Sequence, residues 1–205
     1  MENNVDILDE RSIYPDPIKQ FELWFNSAVT AKLPLPEAMS LATITHNGKP
    51  TSRMVLLKSV DAEGFVFYTN YRSAKAKELE ANPDAALTFF WPQLEKQVRV
   101  EGSVTKTSAV ESREYFATRP RESQIGAWAS PQSEVISGRE ELERRQAELT
   151  EKYHNQAVPW PEHWGGYRLK PERIEFWKGR VGRLHDRILY ERQAEGTWSI
   201  KRLAP

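Results

Sequence analysis

The stretch MSLATITHNGKPTSRMVLLK, residues 39–58, decides the fold. Residues 39–46 have a strand pattern, Asn47-Gly48 is a strong signal for a two-residue hairpin turn, and residues 51–58 return as a second strand. Because such a turn joins neighbouring antiparallel strands, the stretch predicts the start of an antiparallel sheet.

The segments on both sides of this hairpin extend the pattern. Apolar positions at helical spacing predict a helix over 18–30, and serines in capping positions predict helices over 73–81, 108–118 and 137–154. Further strands are expected at 65–69, 85–91, 97–106, 166–170, 173–177, 184–192 and 197–203. Short strands joined by turns, with helices inserted, predict an α+β fold built on an antiparallel barrel.

The composition is that of a globular protein with no general attraction to nucleic acid or lipid. The 205 residues carry 29 basic and 29 acidic side chains, so any anion site has to be built locally from clustered cations. The chain has no cysteine, which is compatible with a reducing cytosol. Residues 1–6 lack the apolar core of a signal peptide, and no apolar run approaches the roughly 20 residues of a membrane span. We therefore expect a cytoplasmic protein.

Several common catalytic patterns are missing from the sequence. It has no Gly-x-Ser-x-Gly elbow, no glycine-rich phosphate loop and no pair of histidines at metal-ligand spacing. Triad hydrolases, metal hydrolases and Rossmann enzymes are therefore disfavoured, and no metal site is expected.

Cations and hydroxyl groups cluster instead near turns and strand ends. Lys75, at the expected start of a helix, is placed to bind a phosphate together with free backbone N–H groups, although an ordinary capped helix with a surface lysine has the same pattern. In a regular strand Arg53 and Lys58 would point to opposite faces, so either a bulge intervenes or the two serve different ligand groups.

A second group of this kind follows the third predicted helix. Tyr115 and Arg119 would share a helix face, and Ser123 comes shortly afterwards. This predicts another phosphate site, with an ordinary polar helix end as the alternative.

A third group lies at 183–187. If this segment is a strand, Arg183, His185 and Arg187 point to one side, where an anion or an electron-rich ring would offset their mutual repulsion. A hydrated edge strand is the alternative, and Trp177 could supply a flat wall for a planar cofactor. Together the three groups suggest a site for two phosphorylated, planar molecules, one a cofactor and the other a substrate.

Three segments, in order along the chain, resemble the pyridoxamine (pyridoxine) 5′-phosphate oxidase family. They are RMVLLK at 53–58 with FYTN at 67–70, RPRESQIGAW at 119–128 followed by Gln132-Ser133, and EFW at 175–177 followed by RLHDR at 183–187. The similarity runs from about residue 16 to residue 205.

The resemblance implies an FMN-binding split β-barrel over residues 18–205, preceded by an N-terminal arm at 1–17. It also implies a homodimer with FMN at the subunit interface, to which strands within 164–205 contribute. The FMN phosphate would be held by Arg53 and Lys75, with Gln132 and Ser133 reaching in from the partner chain. Further FMN contacts would come from Met54, Val55, Leu56, Leu57, Lys58, Tyr68, Thr69, Gln97, Trp177 and Arg187.

The implied activity is the oxidation of pyridoxamine or pyridoxine 5′-phosphate at its 4′ carbon. Hydride would pass to N5 of FMN, and O2 would then reoxidise the flavin, giving pyridoxal 5′-phosphate and H2O2 in vitamin B6 synthesis and salvage. Arg183 would stabilise negative charge near the 4′ substituent, and His185 would accept or relay a proton. The other implied substrate contacts are Lys58, Tyr115, Arg119 and Ser123 at the phosphate, and Leu184 near the ring.

Two places depart from the family pattern. Ala74 stands where many relatives have arginine, so one cation near the FMN phosphate is missing. Because a charge-assisted hydrogen bond contributes roughly 1.5–3 kcal/mol, we expect FMN to bind about tenfold more weakly than in such relatives. The relatives' Arg-x-x-Tyr is present as Arg11 and Tyr14 but runs directly into Pro15, so we do not expect it to cover the substrate.

Three other functions stay open. The chain could be a flavin reductase-like protein that acts on another substrate, a non-catalytic carrier of FMN or pyridoxal phosphate, or a nucleic-acid-binding barrel with aromatic stacking platforms. The matching substrate-side residues count against the first, the intact Arg183 and His185 against the second, and the zero net charge against the third.

Overall fold

The computed structural model describes residues 8–205. Within that range the chain forms five α-helices: α1 Pro17–Thr30, α2 Ala74–Ala81, α3 Ala109–Thr118, α4 Arg121–Ala129 and α5 Arg139–Lys152. The same range contains nine strands: β1 Ala38–Ile44, β2 Pro50–Leu56, β3 Ser59–Asp61, β4 Gly64–Asn70, β5 Asp84–Trp91, β6 Lys96–Lys106, β7 Trp164–Lys178, β8 Asp186–Arg192 and β9 Trp198–Arg202. Short 3₁₀ turns occur at Pro92–Leu94 and Val181–Arg183. No helix within residues 8–205 is long and apolar enough to cross a membrane.

The strands form one antiparallel sheet, which confirms the predicted fold class. The order is β2-β1-β5-β6-β7-β4-β3, and β8 and β9 continue the sheet beside β7. Because β2 at one edge contacts β4 near the other, the sheet curls into a half-barrel. The 15-residue strand β7 pairs with β4, β6 and β8 and so links the two ends of the molecule.

A bulge bends β6 and β7 at their middle. The register between them shifts between Glu101 and Gly102, and Gly102 lies opposite Pro171, which has no N–H to donate. A Cβ on Gly102 would lie 2.0 Å from the carbonyl oxygen of Lys170, so the close approach requires glycine. Because the proline interrupts the strand pattern, the sequence predicted two strands at 166–170 and 173–177 where the structure has one bent strand.

Helix α1 packs against the sheet to form the main core. The ring of Phe21 is fully buried and lies 4.9 Å from the rings of Phe65 in β4 and Phe89 in β5. Trp24, one turn later, meets Phe176 of β7 edge-on at 5.2 Å. The apolar face predicted from the spacing in 18–30 is therefore the face that joins strands distant in sequence.

The first hairpin is in the predicted place, but its loop is longer than predicted. Ile44 pairs with Pro50, and the N–H of Thr45 donates to the carbonyl of Lys49 at 2.8 Å, which leaves residues 46–48 as the loop. Gly48 has a φ of 76°, a left-handed conformation that glycine adopts without steric cost.

Of the three predicted serine caps, Ser108 is confirmed, Ser73 has the predicted N-cap position without a capping hydrogen bond, and Ser137 is wrong. Ser108 accepts the predicted hydrogen bond from a backbone N–H in the first turn of α3 at 3.0 Å. Ser73 is the N-cap residue of α2, but its hydroxyl donates to a backbone carbonyl three residues earlier at 2.7 Å. Ser137 precedes the N-cap of α5 and donates to a glutamate of that helix at 2.8 Å. The patterns therefore located the helix starts but not the bonds that stabilise them.

The described part of the predicted N-terminal arm, residues 8–16, docks on the last two strands. Arg202 of β9 donates to the carbonyl of the buried Leu8 at 3.0 Å and forms an ion pair with Glu10 at 2.7 Å. Tyr190 of β8 donates to the carbonyl of Tyr14 at 2.7 Å. Residues 1–7 of the predicted arm lie outside the described residues.

Candidate functional site

A cavity of about 480 Å³ opens between β2, β4, α3 and α4. Four of its residues are cationic, and none of the lining residues in the described part of the chain is acidic. The cavity therefore favours an anionic ligand. It is lined by Arg53, Met54, Val55, Leu56, Lys58, Tyr68, Thr69, Lys75, Tyr115, Thr118, Arg119, Pro120, Ser123, Gln132 and Trp164.

Lys75 is held in this cavity by neutral acceptors. Its Nζ donates to Oγ1 of Thr69 at 3.2 Å and to Oε1 of Gln132 at 3.0 Å. Burial, reinforced by the positive charge of Arg53, lowers the pKa of Lys75. An anion bound here would supply the negative charge that the neutral acceptors do not.

Gln132 belongs to the same chain as Lys75, which corrects the expectation that a partner chain supplies it. Its Oε1 also accepts a hydrogen bond from Thr69 at 3.0 Å, so the glutamine is built into the Lys75 site. The neighbouring Ser133 has a φ of 74° and does not line the cavity.

Arg53 is oriented by an internal network. Its guanidinium donates to the carboxylate of Glu78 in α2 at 2.8 Å and to the hydroxyl of Thr43 in β1. Thr43 also donates to Glu78 at 2.6 Å. The network fixes Arg53 in the cavity wall. The negative charge of Glu78 offsets one of the two positive charges that Arg53 and Lys75 place on this side of the cavity.

Arg53 and Lys58 both line the cavity, although regular strand alternation placed them on opposite faces. Strand β2 ends at Leu56, so Lys58 lies beyond it, where its N–H donates to the carbonyl of Val66 at 2.8 Å. The alternation therefore stops before Lys58, and no bulge in β2 is needed. Leu57, between them, is buried in the main core.

The cavity also contains the second predicted phosphate group, in which Arg119 is the cation. Arg119 is the C-cap residue of α3, and its guanidinium carbon lies 4.4 Å from the ring centroid of Trp164. Its Nη1 is buried and has no hydrogen-bond partner among residues 8–205, and burial lowers the pKa of the side chain. Since a buried donor without an acceptor is costly, a bound anion would stabilise this group.

Three aromatic rings stack beside Arg119. The rings of Tyr68 and Tyr115 are 3.9 Å apart, and the ring of Trp164 lies 5.4 Å from the first and 6.2 Å from the second, nearly parallel to both. Burial raises the pKa of Tyr68 to about 12 and also raises the pKa of Tyr115. Both phenols therefore keep their protons at neutral pH and are able to donate to an anion.

Ser123 reaches the cavity because a new helix begins just after Arg119. Where the sequence suggested the polar end of one helix, Pro120 separates α3 from α4, which starts at Arg121. Arg121 points elsewhere and donates to the carbonyl of Gln156 at 2.8 Å. The turn therefore separates the roles of two arginines that the sequence places side by side.

Six predicted site residues lie outside the cavity, near the far end of the sheet. We call them the second cluster: Gln97, Trp177, Arg183, Leu184, His185 and Arg187. Gln97, Trp177 and Arg187 are neighbours across β6, β7 and β8. The ring of His185 lies 4.6 Å from the ring of Trp177, and its Nδ1 accepts a hydrogen bond from the N–H of Arg180 at 3.0 Å. With Nδ1 engaged as an acceptor, the neutral ring carries its proton on Nε2 and donates from there. This geometry does not favour the proton-acceptor role expected for His185.

Arg183 and Leu184 do not lie in a strand, which corrects the interpretation of 183–187. Arg183 ends a 3₁₀ turn with a φ of 62°, and β8 begins only at Asp186. The side chain of Leu184 is largely exposed. Arg183, His185 and Arg187 are therefore not aligned on one strand face; the first two sit in a loop that precedes the third.

The cavity and the second cluster lie at opposite ends of β7. Trp164, its first residue, lines the cavity, whereas Trp177 is its last residue but one. At about 3.3 Å per residue, the strand between them is roughly 40 Å long. None of Gln97, Trp177, Arg183, Leu184, His185 and Arg187 lines the cavity of its own chain.

Some cavity residues were missed at the level of the sequence. The cavity is also lined by Thr118, Pro120 and Trp164. The chain has seven tryptophans, and nothing in the sequence distinguishes Trp164 from the other six. Thr43 and Glu78 reach Arg53 only through the packing of α2 on β1. Neither contact leaves a spacing signal along the chain.

Profiles of two protein families match most of this sequence. The profile described as "Pyridoxamine 5′-phosphate oxidase" matches residues 25–153, and that described as "Pyridoxine 5′-phosphate oxidase C-terminal dimerisation region" matches residues 164–205. The pyridoxine/pyridoxamine 5′-phosphate oxidase of Rubrobacter xylanophilus is 58% identical over 198 residues, which cover 97% of this chain and 91% of that protein. The protein of the same name from Nostoc punctiforme is 56% identical over 198 residues, with 97% and 93% covered.

Solved structures share the fold. PhzG from Burkholderia lata, in complex with tetrahydrophenazine-1-carboxylic acid, superimposes with a TM-score of 0.91 at 31% identity, covering 99% of this chain and 100% of that one. A pyridoxamine 5′-phosphate oxidase-related, FMN-binding protein of Nostoc punctiforme gives a TM-score of 0.74 at 18% identity, covering 94% and 100%. These similarities confirm the predicted split-barrel architecture.

Proposed function

The chain belongs to the pyridoxamine 5′-phosphate oxidase family, and from this premise we propose that it oxidises pyridoxamine and pyridoxine 5′-phosphate to pyridoxal 5′-phosphate, with O2 as acceptor. The family consists of oxidoreductases whose cofactor is FMN. The observation that carries the proposal is a cavity lined by four cations, Arg53, Lys58, Lys75 and Arg119, which we assign to two groups, Arg53 with Lys75 and Lys58 with Arg119. A cofactor and a substrate that each carry a phosphate match this arrangement.

The first group fits the FMN phosphate. Lys75 has only neutral acceptors among its hydrogen-bond partners in the described chain, and Arg53 is held beside it by Glu78. Thr69 and Gln132 add a hydroxyl and an amide that would also contact the phosphate. Residues 54–56 and Tyr68, which line the adjacent wall, would face the remainder of the cofactor.

The second group fits the substrate phosphate. Donors in the same cavity come from Nη1 of Arg119, the ammonium of Lys58 and the hydroxyls of Tyr115 and Ser123. Because these groups would fix one end of the substrate, they would hold its ring in a single orientation.

A partner chain would complete the site. The family profile that matches residues 164–205 is described as a dimerisation region, and these residues include most of the second cluster. Since no residue of this cluster lines the cavity of its own chain, we propose that it serves the cavity of the partner. Gln97, Trp177 and Arg187 would then contact FMN, and Arg183, Leu184 and His185 would contact the substrate.

The chemistry divides between the cofactor and the protein. When bound, FMN supplies the hydride acceptor and the route of the electrons to O2, so that the alcohol gives aldehyde and H2O2, while the amine also takes up water and releases ammonia. Arg183 would stabilise negative charge at the 4′ substituent, because a guanidinium stays protonated. His185 would add a hydrogen bond from Nε2, the nitrogen that its contact with Arg180 leaves free to donate.

The test is an anaerobic mixture of the FMN-loaded protein with pyridoxine 5′-phosphate, followed by air. We expect the flavin absorbance to bleach and then to return as pyridoxal 5′-phosphate and H2O2 form. Unphosphorylated pyridoxine is the matched control and should bleach the flavin far more slowly, because Lys58 and Arg119 would have no phosphate to bind.

Other results would redirect the assignment. A flavin band that persists with both the alcohol and the amine substrate would contradict the proposal and favour a carrier. Bleaching by a reduced nicotinamide cofactor alone would favour a flavin reductase. A protein that does not bind FMN would revive the nucleic-acid-binding alternative.

A further inference from the structure

The two arginines of the cavity are held in different ways. Arg53 is paired with the carboxylate of Glu78 at 2.8 Å. Arg119 instead packs against aromatic rings, with its guanidinium carbon 4.4 Å from the centroid of Trp164 and 5.8 Å from that of Phe116. An aromatic face attracts a guanidinium without using any of its N–H donors and without neutralising its charge.

The ring of Trp164 is itself firmly fixed. Trp164 is the first residue of β7, pairs with Asn70 of β4 and is 6% exposed. The rings of Tyr68 and Tyr115 stack parallel to it, and Phe116 meets it at a steeper angle at 5.4 Å. Both the strand and the aromatic stack therefore set the place where Arg119 rests.

Resting on the proposed function, we propose that Trp164 is a positioning residue that holds Arg119 for the substrate phosphate and so makes the site selective for phosphorylated substrates. The buried Nη1 of Arg119, which has no hydrogen-bond partner among residues 8–205, supports this role, because it leaves a donor free for a phosphate oxygen. A carboxylate in place of the ring would use that donor and cancel the charge.

The chain offers a matched control for Trp164. Trp160 packs against the same hydrophobic cluster as Trp164, donates from Nε1 to the carbonyl of Trp164 at 2.8 Å, and has Arg113 over its ring at 5.3 Å. Neither Trp160 nor Arg113 lines the cavity. Replacing Trp160 therefore removes a similar ring and a similar cation contact from the same region but not from the site.

The experiment titrates FMN-loaded protein with pyridoxal 5′-phosphate and, separately, with unphosphorylated pyridoxal. We expect Trp164→Leu to weaken binding of the phosphorylated ligand about tenfold, the range of a desolvated cation–π contact, and to leave pyridoxal binding nearly unchanged. Trp164→Phe should restore most of the loss, and Trp160→Leu should bind both ligands as the unmodified protein does. In turnover with pyridoxine 5′-phosphate, Trp164→Leu should raise KM much more than it lowers kcat.

A double-mutant cycle tests whether the effect passes through Arg119. In an Arg119→Ala background, Trp164→Leu should cause no further loss of pyridoxal 5′-phosphate binding. Equal losses for both ligands, equal losses in Trp160→Leu, or additive losses in the double variant would overturn the role of Trp164. If the unmodified FMN-loaded protein binds no pyridoxal 5′-phosphate, the proposed function fails together with this inference.

Discussion

Arg187 and Glu175 form a two-point ion pair across β8 and β7, with Nε–Oε1 and Nη2–Oε2 distances of 2.8 and 3.1 Å. Glu175 is buried and also contacts Arg99 at 3.4 Å. The hydrogen bonds from Glu175 raise the pKa of Arg187 and fix the plane of its guanidinium. An arginine proposed to contact FMN is thus oriented by a residue to which the sequence assigned no role.

Glu175→Gln should weaken FMN binding about fivefold. The amide keeps the shape of the side chain but removes the charge that orients Arg187, and for a pair open to solvent on one side this costs roughly 1 kcal/mol. Quenching of FMN fluorescence on binding gives the affinity. Glu101→Gln is the control, because Glu101 pairs with Arg99 and Arg173 in the same network without touching Arg187. An equal loss in both variants would show that the network acts on the fold and not on Arg187.

Lys75→Met should cause a larger loss of FMN affinity than Glu175→Gln. The variant removes the ammonium that Thr69 and Gln132 hold in the cavity, and a charge-assisted hydrogen bond contributes roughly 1.5–3 kcal/mol, or about ten- to a hundredfold in affinity. Lys77→Met is the control on the same helix, since Lys77 is exposed and outside the cavity. Unchanged flavin retention in Lys75→Met would show that Lys75 does not hold the FMN phosphate.

Ala74→Arg should strengthen FMN binding about tenfold. Ala74 is the first residue of α2 and lines a smaller cavity of about 270 Å³ next to Glu78, which lies one helical turn further on. An arginine here adds a positive charge and competes with Arg53 for Glu78, which leaves Arg53 freer to bind the phosphate. Ala74→Met controls for side-chain bulk. Affinity equal to that of the unmodified chain would mean that the position lies too far from the phosphate.

Arg183→Ala should lower turnover by roughly two to three orders of magnitude, with FMN still bound. The variant removes the cation proposed to stabilise charge at the 4′ substituent. Val181→Ala is the control, because Val181 is fully exposed in the same 3₁₀ turn. Rapid-mixing measurement of flavin reduction isolates the chemical step. Near-normal reduction in Arg183→Ala would remove this arginine from the active role.

Local patterns predicted most of the fold but not its details. The hairpin at 46–48, the apolar face of α1 and the start of α3 at Ser108 are local features that a sequence encodes directly. The bend in β7 was misinterpreted because Pro171 looks like a strand end unless Gly102 is known to lie opposite it. Contacts between residues distant in sequence therefore decide whether this segment forms two strands or one bent strand.

The candidate site divides in the same way. Arg53, Lys75 and Arg119 stand out from the sequence because clustered cations near turns suit phosphates. Their partners Glu78 and Trp164 do not stand out from the sequence. The contact of Glu78 with Arg53 depends on the packing of α2 on β1, and the contact of Trp164 with Arg119 depends on where β7 begins. The face shared by Arg183 and Arg187 was predicted wrongly, since strand alternation was assumed for a segment that forms a 3₁₀ turn.

The central claim is that an oxidase site combines the cavity of one chain with the second cluster of its partner. It is tested most directly by co-expressing two inactive variants with different tags and purifying the mixed dimer. One chain carries Lys75→Met with Arg119→Ala, and the other carries Arg183→Ala.

In the mixed dimer, one site has an intact cavity from the second chain and an intact second cluster from the first. We predict that this dimer forms pyridoxal 5′-phosphate from pyridoxine 5′-phosphate at about half the rate of the unmodified dimer, while each parent variant stays nearly inactive. A mixed dimer as inactive as its parents would contradict the shared site.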